Sequence, residues 1–366
     1  MTTITVDDLE DFARGATVLG TGGGGDPYIG RLMAEQAIET HGPVELVDPH
    51  DLDDDALVLP SAMLGAPTVM VEKLPRGDET VAAFRDLERI LDRRADAVMS
   101  IEAGGLNSTV PIAVAATLGL PLVDADAMGR AFPEVQMVTL TMGGIDATPM
   151  TMADERGESV LVDAIDNVWA EGFARTTSVG MGGACLIAIY PHTAAELCEH
   201  GILGSMSTAR DIGATIRHAR EGGRDPVAAV CARTDGHELF AGKVADVERR
   251  TEGGFATGEA TIVGTDDFEA RTLELAFQNE HLIATDSSEG VLATVPDLIT
   301  VLDAETGEPV TTEGMRYGLR VRVLGMPCDP AWRTGDGIEL VGPTAFGYED
   351  VEYEPIESIH AGGGGR

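Results

Sequence analysis

Three short stretches of the chain concentrate residue types that do chemistry. The first is Leu19-Gly20-Thr21-Gly22-Gly23-Gly24-Gly25-Asp26-Pro27-Tyr28, with four successive glycines. Such a run brings backbone N–H groups close to a ligand, and a helix starting just after it favours anions. Asp26 could act there as acid or base, or simply as the helix N-cap. A phosphate loop is excluded, because Gly-x-x-x-x-Gly-Lys-Ser/Thr is absent and no lysine is near. Gly20-x-Gly22-x-x-Gly25 fits a dinucleotide fingerprint by letter, but the preceding segment reads as helix where the fingerprint needs a strand. Thr21 and Gly22, Gly23, Gly24 and Gly25 therefore read as an anion-stabilising loop, with a plain tight turn as the alternative.

The second stretch, Glu102-Ala103-Gly104-Gly105-Leu106-Asn107-Ser108, follows an apolar strand-like run. Polar groups and glycines at a strand's carboxyl end are where α/β sites sit. Asn107 could orient a substrate amide or cap a helix. The third runs from Asp124 through Asp126, Arg130 and Glu134 to Gln136. In extended chain Asp124 and Asp126 point to one side, so they could share a proton, divide acid and base roles, or hold a hard cation. Arg130 could clamp a substrate carboxylate, or pair internally with Glu134. Later motifs, Phe277-Gln278-Asn279-Glu280, Val295-Pro296-Asp297 and Glu313-Gly314-Met315-Arg316-Tyr317-Gly318, are also explained by turn chemistry.

Other chemistries lack their residues. There is no Gly-x-Ser-x-Gly elbow, no His-Glu-x-x-His and no zinc-ligand spacing. The cysteines Cys185, Cys198, Cys231 and Cys328 form no Cys-x-x-Cys pair and read as reduced, mostly buried thiols. No metal and no cofactor is expected.

The elements that must position these residues alternate. Helices are predicted to about Val18, over Tyr28–Thr40, near Glu79–Arg93 and over Pro111–Leu118. Strands are predicted at Val44–Val47, Ala56–Leu59, Ala97–Ile101 and Pro121–Val123. This pattern gives an α/β fold: a three-layer, Rossmann-like first domain over 1–170 with a mainly parallel sheet. Beyond it, short strand-like stretches predict a β-rich, barrel-like second domain over 171–366, with a helical hairpin near 194–220. Strands are expected at Thr176–Val179 and Val227–Arg233 among others. The glycine-rich tail 361–366 reads as a flexible end.

Charge bounds the partners. Asp plus Glu number 62 against 25 Lys plus Arg, a formal net charge of −37, and Lys73 and Lys243 are the only lysines. So acidic a surface repels phosphate backbones and anionic lipid, which argues against nucleic-acid and membrane partners. Molar salt screens the self-repulsion, so the composition reads as a halophilic, archaeal, cytoplasmic protein. The start has no basic and apolar leader pattern, and no apolar run is long enough to span a bilayer.

Taken together, Gly20–Tyr28, Glu102-x-Gly104-Gly105-x-Asn107-Ser108 and Asp124–Met137 resemble the S-methyl thiohydantoin desulfurase-like family, which is associated with hydantoinase/oxoprolinase genes. Gln278-Asn279-Glu280, Val295–Ile299 and Arg316-Tyr317-Gly318 match its C-terminal part. The resemblance implies a site between two domains and a hydrolase that expels methanethiol from a small cyclic thiohydantoin-type compound. On that reading Asp26 or Asp124 is the base, and Asp126 or Glu134 the acid. The loop amides stabilise developing charge, Arg130 binds an acidic side arm and Asn107 the ring amide. Glu102, Gln136, Asn279, Glu280 and Arg316 complete the substrate-binding set. Alternatives are a ring-opening hydantoin or lactam hydrolase, and a non-catalytic binding subunit of a hydantoinase system. A small-molecule substrate, a homo-oligomer and a functional link to hydantoinase/oxoprolinase subunits are the expected partners.

Overall fold

The computed structural model describes residues 2–65, 69, 78–252 and 255–360, so the tail 361–366 lies outside the described residues. Its strands are β1 (Thr2–Ile4), β2 (Val44–Val47), β3 (Leu57–Gly65), β4 (Ala97–Ser100), β5 (Leu122–Val123), β6 (Ala125–Asp126), β7 (Met150–Ala153), β8 (Ser159–Val162), β9 (Ala184–Ala188), β10 (His192–Thr193) and β11 (Ile202–Leu203) in the first part. They are followed by β12 (His237–Glu252), β13 (Phe255–Gly264), β14 (Thr272–Gln278), β15 (Glu280–Asp286), β16 (Gly290–Thr294), β17 (Leu298–Asp303) and β18 (Arg320–Met326).

The first sheet has the order β1-β2-β5-β4-β3-β9-β7-β8, with β10 also paired to β3. Pairing is parallel across β2, β5, β4 and β3. It turns antiparallel outward through β9, β7 and β8. Helices cover both faces. Leu9 and Phe12 of helix α1 (Leu9–Leu19), Ala34 and Ile38 of helix α2 (Pro27–His41) and the helix Gly105–Leu118 pack with Leu59 and Val98 on one side. Ala170 and Ala174 of the helix Asn167–Gly180 pack with Val58, Met99 and Ile187 on the other. Strands β3 and β4 are buried along nearly their whole length, which is why they read as continuous apolar runs rather than alternating ones.

The second sheet is a curled antiparallel half-barrel of seven strands, ordered β16-β15-β14-β13-β12-β18-β17. It has its own core of Phe240, Ile262, Leu275 and Val323. Its outer residues Leu282, Leu298 and Met326 join the cluster that includes Leu19, Met128 and Trp332, so the two sheets share a continuous apolar contact.

Two predicted strands are helices. Thr176–Val179 lies within the helix Asn167–Gly180, which Asp166 caps by accepting from Trp169 N. Val227–Arg233 lies within the helix Pro226–Thr234, capped by Asp225 with Pro226 in the first turn. Their short apolar runs do not distinguish strand from helix, and the caps upstream decide. The helix expected from Pro111 starts earlier, at Gly105. No helix among the described residues is long and apolar enough to cross a membrane.

Candidate functional site

An open cleft lies between the sheets, at the carboxyl ends of β3 and β4. One wall is Ala62–Gly65 with Ile101, Glu102 and Asn107; another is Phe132–Val135 with Arg175. The second sheet contributes Asn279, Glu280 and Glu313, and the glycine loop contributes Gly23, Gly24 and Gly25.

The loop is wedged between the two sheets. Thr21 carbonyl accepts from His281 N at 2.8 Å, and Gly22 carbonyl accepts from Thr312 N at 2.9 Å. Backbone φ is positive at Thr21, Gly22, Gly24 and Gly25, a left-handed trace that glycine adopts without strain. Two positions explain the run further. A Cβ on Gly23 would lie 2.0 Å from Glu280 Oε1, and one on Gly24 would lie 2.5 Å from Gly104 Cα. The loop is thus the surface against which a carboxyl group and a second glycine pair pack.

Glu102 follows β4 and is buried. Burial pushes its carboxyl up to about 7, against the opposing pull of Asn107, the Phe132 N–H and Arg130. Asn107 Nδ2 donates to Glu102 Oε1 at 2.6 Å, and Asn107 Oδ1 accepts from Met63 N at 2.8 Å. Asn107 therefore fixes Glu102 against β3. Glu280 enters from the second sheet and is also buried; its Oε2 has no hydrogen-bond partner among the described residues. Burial holds Glu280 well above the ordinary carboxylate range, and the Glu102 charge adds to this against Arg130. Glu134, bonded by Gln136 Nε2, and Glu313 are likewise raised, chiefly by burial. Four glutamates thus line one cleft, each biased toward its neutral form. Among the described residues no group of His, Cys, Asp and Glu is placed to hold a metal ion.

The remaining sequence candidates lie off the cleft lining. Asp26 is exposed and caps α2, accepting from Tyr28 N at 2.8 Å. Asp124 accepts from Ser207 N at 2.9 Å and from Ser207 Oγ, which ties β5 to the helix Ser205–Glu221. Asp126 is buried and closes a turn through Gly129 N at 2.8 Å; burial raises its pKa despite those amide bonds. Asp124 and Asp126 are not brought together on one substrate.

Arg130 is fully buried, and its guanidinium donates to the carbonyls of Ala131, Pro296 and Asp297, to Thr21 Oγ1 at 2.9 Å, and more distantly to His281 carbonyl. These bonds join the third motif, the loop and the second sheet. Burial lowers its pKa to about 10. Arg316 is exposed. The arginine that does line the cleft is Arg175, stacked 4.4 Å over Phe255 and donating to Glu171 Oε1 at 2.7 Å and Pro133 carbonyl at 2.9 Å. Nothing in the local sequence singles out Arg175, whose helix reads partly as strand from the sequence. Glu313 belongs to a noted motif, yet only burial distinguishes it from the many surface acids.

The chain matches the S-Me-THD-like, N-terminal domain over residues 7–164 and the S-Me-THD-like, C-terminal domain over residues 165–356. A crystal structure of a protein from Chromobacterium violaceum has the same fold, with a TM-score of 0.79 at 24% identity, covering 97% of this chain and 100% of that one. No curated protein matches. With both domain types present in order over nearly its whole length, the chain belongs to the S-Me-THD-like family.

Proposed function

We propose that the chain is a hydrolase of a small cyclic amide of the thiohydantoin type, acting at a ring carbon that bears a methylthio group. What carries this reading is the pair Glu102 and Glu280, two buried carboxyl groups from different sheets facing one cleft. With its pKa near 7, Glu102 is ionised in a useful fraction of molecules and takes the proton of an attacking water. The new C–O bond pushes an electron pair onto the adjacent ring nitrogen, which Glu280 protonates from its neutral form. The C–S bond then breaks as the carbonyl forms: the hydroxyl proton returns to Glu280, and methanethiol leaves carrying the proton first taken by Glu102. Water and substrate thereby give a hydantoin-type ring and one thiol. The amides of the glycine loop stabilise charge developing in the tetrahedral intermediate. Asn107 is a positioning residue, since its amide is engaged with Glu102 and Met63.

This assignment differs from the sequence-based choice of Asp26, Asp124, Asp126 and Glu134: the three aspartates serve as caps and a turn, while Glu134 lines the cleft without a role in these steps. The test is the purified chain in molar salt with S-methyl thiohydantoin propionate, following free thiol and the ring product. Thiol release that is lost in Glu102→Gln and in Glu280→Gln is the expected result. Ring-opened product without thiol would replace it by the lactamase-type reaction, and ligand-induced stabilisation without turnover would leave a binding protein.

A further inference from the structure

The helix Asn167–Gly180 has a solvent face unlike the others. Its inner side carries Ala170, Glu171, Ala174 and Ser178, all buried. Its outer side is Val168, Trp169, Gly172, Phe173, Thr176 and Val179, without a single charge. Val168 is 65% exposed, Trp169 54%, Phe173 46% and Val179 67%, and the neighbouring turn adds Ile165 at 87%. In a chain of net charge −37 a solvated helix face ordinarily carries acids. The outer residues of α2 include Glu35 and Glu39, and those of the helix Ser205–Glu221 include Asp211, Arg217 and Glu221.

Two features beside this face point to what covers it. Strand β8 ends the first sheet and is paired, among the described residues, only to β7. Its Val160 and Leu161 are exposed, leaving a bare apolar edge of the kind that pairs with another strand. Gly172 sits mid-helix, where glycine weakens a helix, and a Cβ there would meet nothing within 4 Å. No contact among the described residues calls for this glycine; close approach of a second backbone would.

We propose that this face and the β8 edge form an isologous interface with a second copy of the chain. A two-fold axis beside β8 would run the two edge strands antiparallel and set helix against helix, so the patch meets itself. With large side chains of roughly 150–250 Å² each, the exposed fractions on the helix, turn and strand amount to on the order of 700 Å² per copy, close to the ~800 Å² per partner of a standard interface. The helix face itself is uncharged, which is what two equally acidic copies need where they touch, and the exposed acids Glu158, Asp163 and Asp166 of the flanking strand and turn then fall at its rim; a basic partner would call for acids at the centre. The same helix presents Arg175 to the cleft and receives the Val135 N–H on Glu171, so the interface would brace one cleft wall.

The test is the mass of the purified chain in molar potassium chloride by sedimentation and light scattering, at about 10 µM and above. Twice the chain mass is expected, with a single-chain mass for Trp169→Glu combined with Phe173→Glu at unchanged circular dichroism. A Gly172→Cys variant should form a disulfide-linked pair under mild oxidation, while the parent with its four native cysteines does not. A wild-type chain that stays monomeric overturns the proposal, including one that instead captures a different protein. So does a dimer that survives the double substitution with its fold intact, or one that Gly172→Cys fails to cross-link.

Discussion

Two sets of carboxylates surround the middle of this protein, and their oxygen atoms are satisfied differently. Asp26 and Asp124 are not fully buried and accept from backbone amides at helix starts; Asp126 stands between the sets, closing a tight turn with one oxygen while the other is buried with no partner among the described residues. Glu102 and Glu280 are instead both buried, which is what raises their pKa values. Glu102 is held by the Asn107 side chain and the Phe132 N–H, and Glu280 keeps a buried oxygen with no partner among the described residues. A carboxylate that caps a helix contributes stability in its ionised state. One that is buried with few donors is poised to carry a proton. The difference teaches that acid type and spacing are weaker guides to chemistry than where each group's hydrogen bonds go.

The largest effect expected from this contrast is on turnover. Glu102→Gln and Glu280→Gln should each lower kcat by about 100- to 10,000-fold while folding no less stably than wild type, as measured by thiol release and thermal denaturation. If Asp124→Asn or Asp26→Asn costs as much with the fold intact, the division between the two sets fails.

The glycine loop separates the roles next. Gly23→Ala places its Cβ against the end of the Glu280 side chain, which can move, so activity should drop tenfold or more with modest loss of stability. Gly24→Ala meets the Gly104 backbone at a φ of +72, so it should destabilise by ~3 kcal/mol or more. Denaturant melts and rates on the two variants distinguish these outcomes, and equal stability losses would remove the special tie between Gly23 and Glu280.

The pH dependence sharpens the assignment of Glu102. The rate should rise as pH passes through about 7, where Glu102 ionises, and fall at higher pH as Glu280 loses its proton. A carboxyl raised on folding stabilises the fold below its unfolded value near 4.5, and that contribution is lost as pH rises through about 7. Glu102→Gln should therefore gain stability relative to wild type between pH 5 and pH 8, by up to about 3 kcal/mol. A pH-independent difference between the two melts would contradict the raised pKa. The smallest effect is at the cap, where Asp26→Ala should cost about 1 kcal/mol of stability and leave turnover unchanged.

Much of the architecture was legible along the chain. The apolar runs of β2, β4 and β5 and the helices α1, α2 and Asp78–Leu91 follow from period and caps. The carboxyl ends of buried strands marked Glu102 and Asn107 as candidates, and the glycine density marked Gly23 to Gly25; all of these line the cleft. The segments Thr176–Val179 and Val227–Arg233 mislead because short apolar stretches fit either period; the cap of the first, Asp166, lies ten residues upstream, and that of the second, Asp225, lies just outside the apolar run. Arg130 looked like a free clamp because its acceptors, the carbonyls of Pro296 and Asp297, come from a distant part of the chain.

What the sequence by itself determined was the pair of folding units, the special backbone of the glycine loop and the family to which the chain belongs. These rest on local periodicity, local sterics and motif order. Tertiary structure alone decided which acids face the cleft, that Glu280 packs on Gly23, and that Arg175 rather than Arg130 lines the wall. A carboxyl group's proton affinity depends on the water it loses and the donors it meets, and both are supplied by residues remote in sequence.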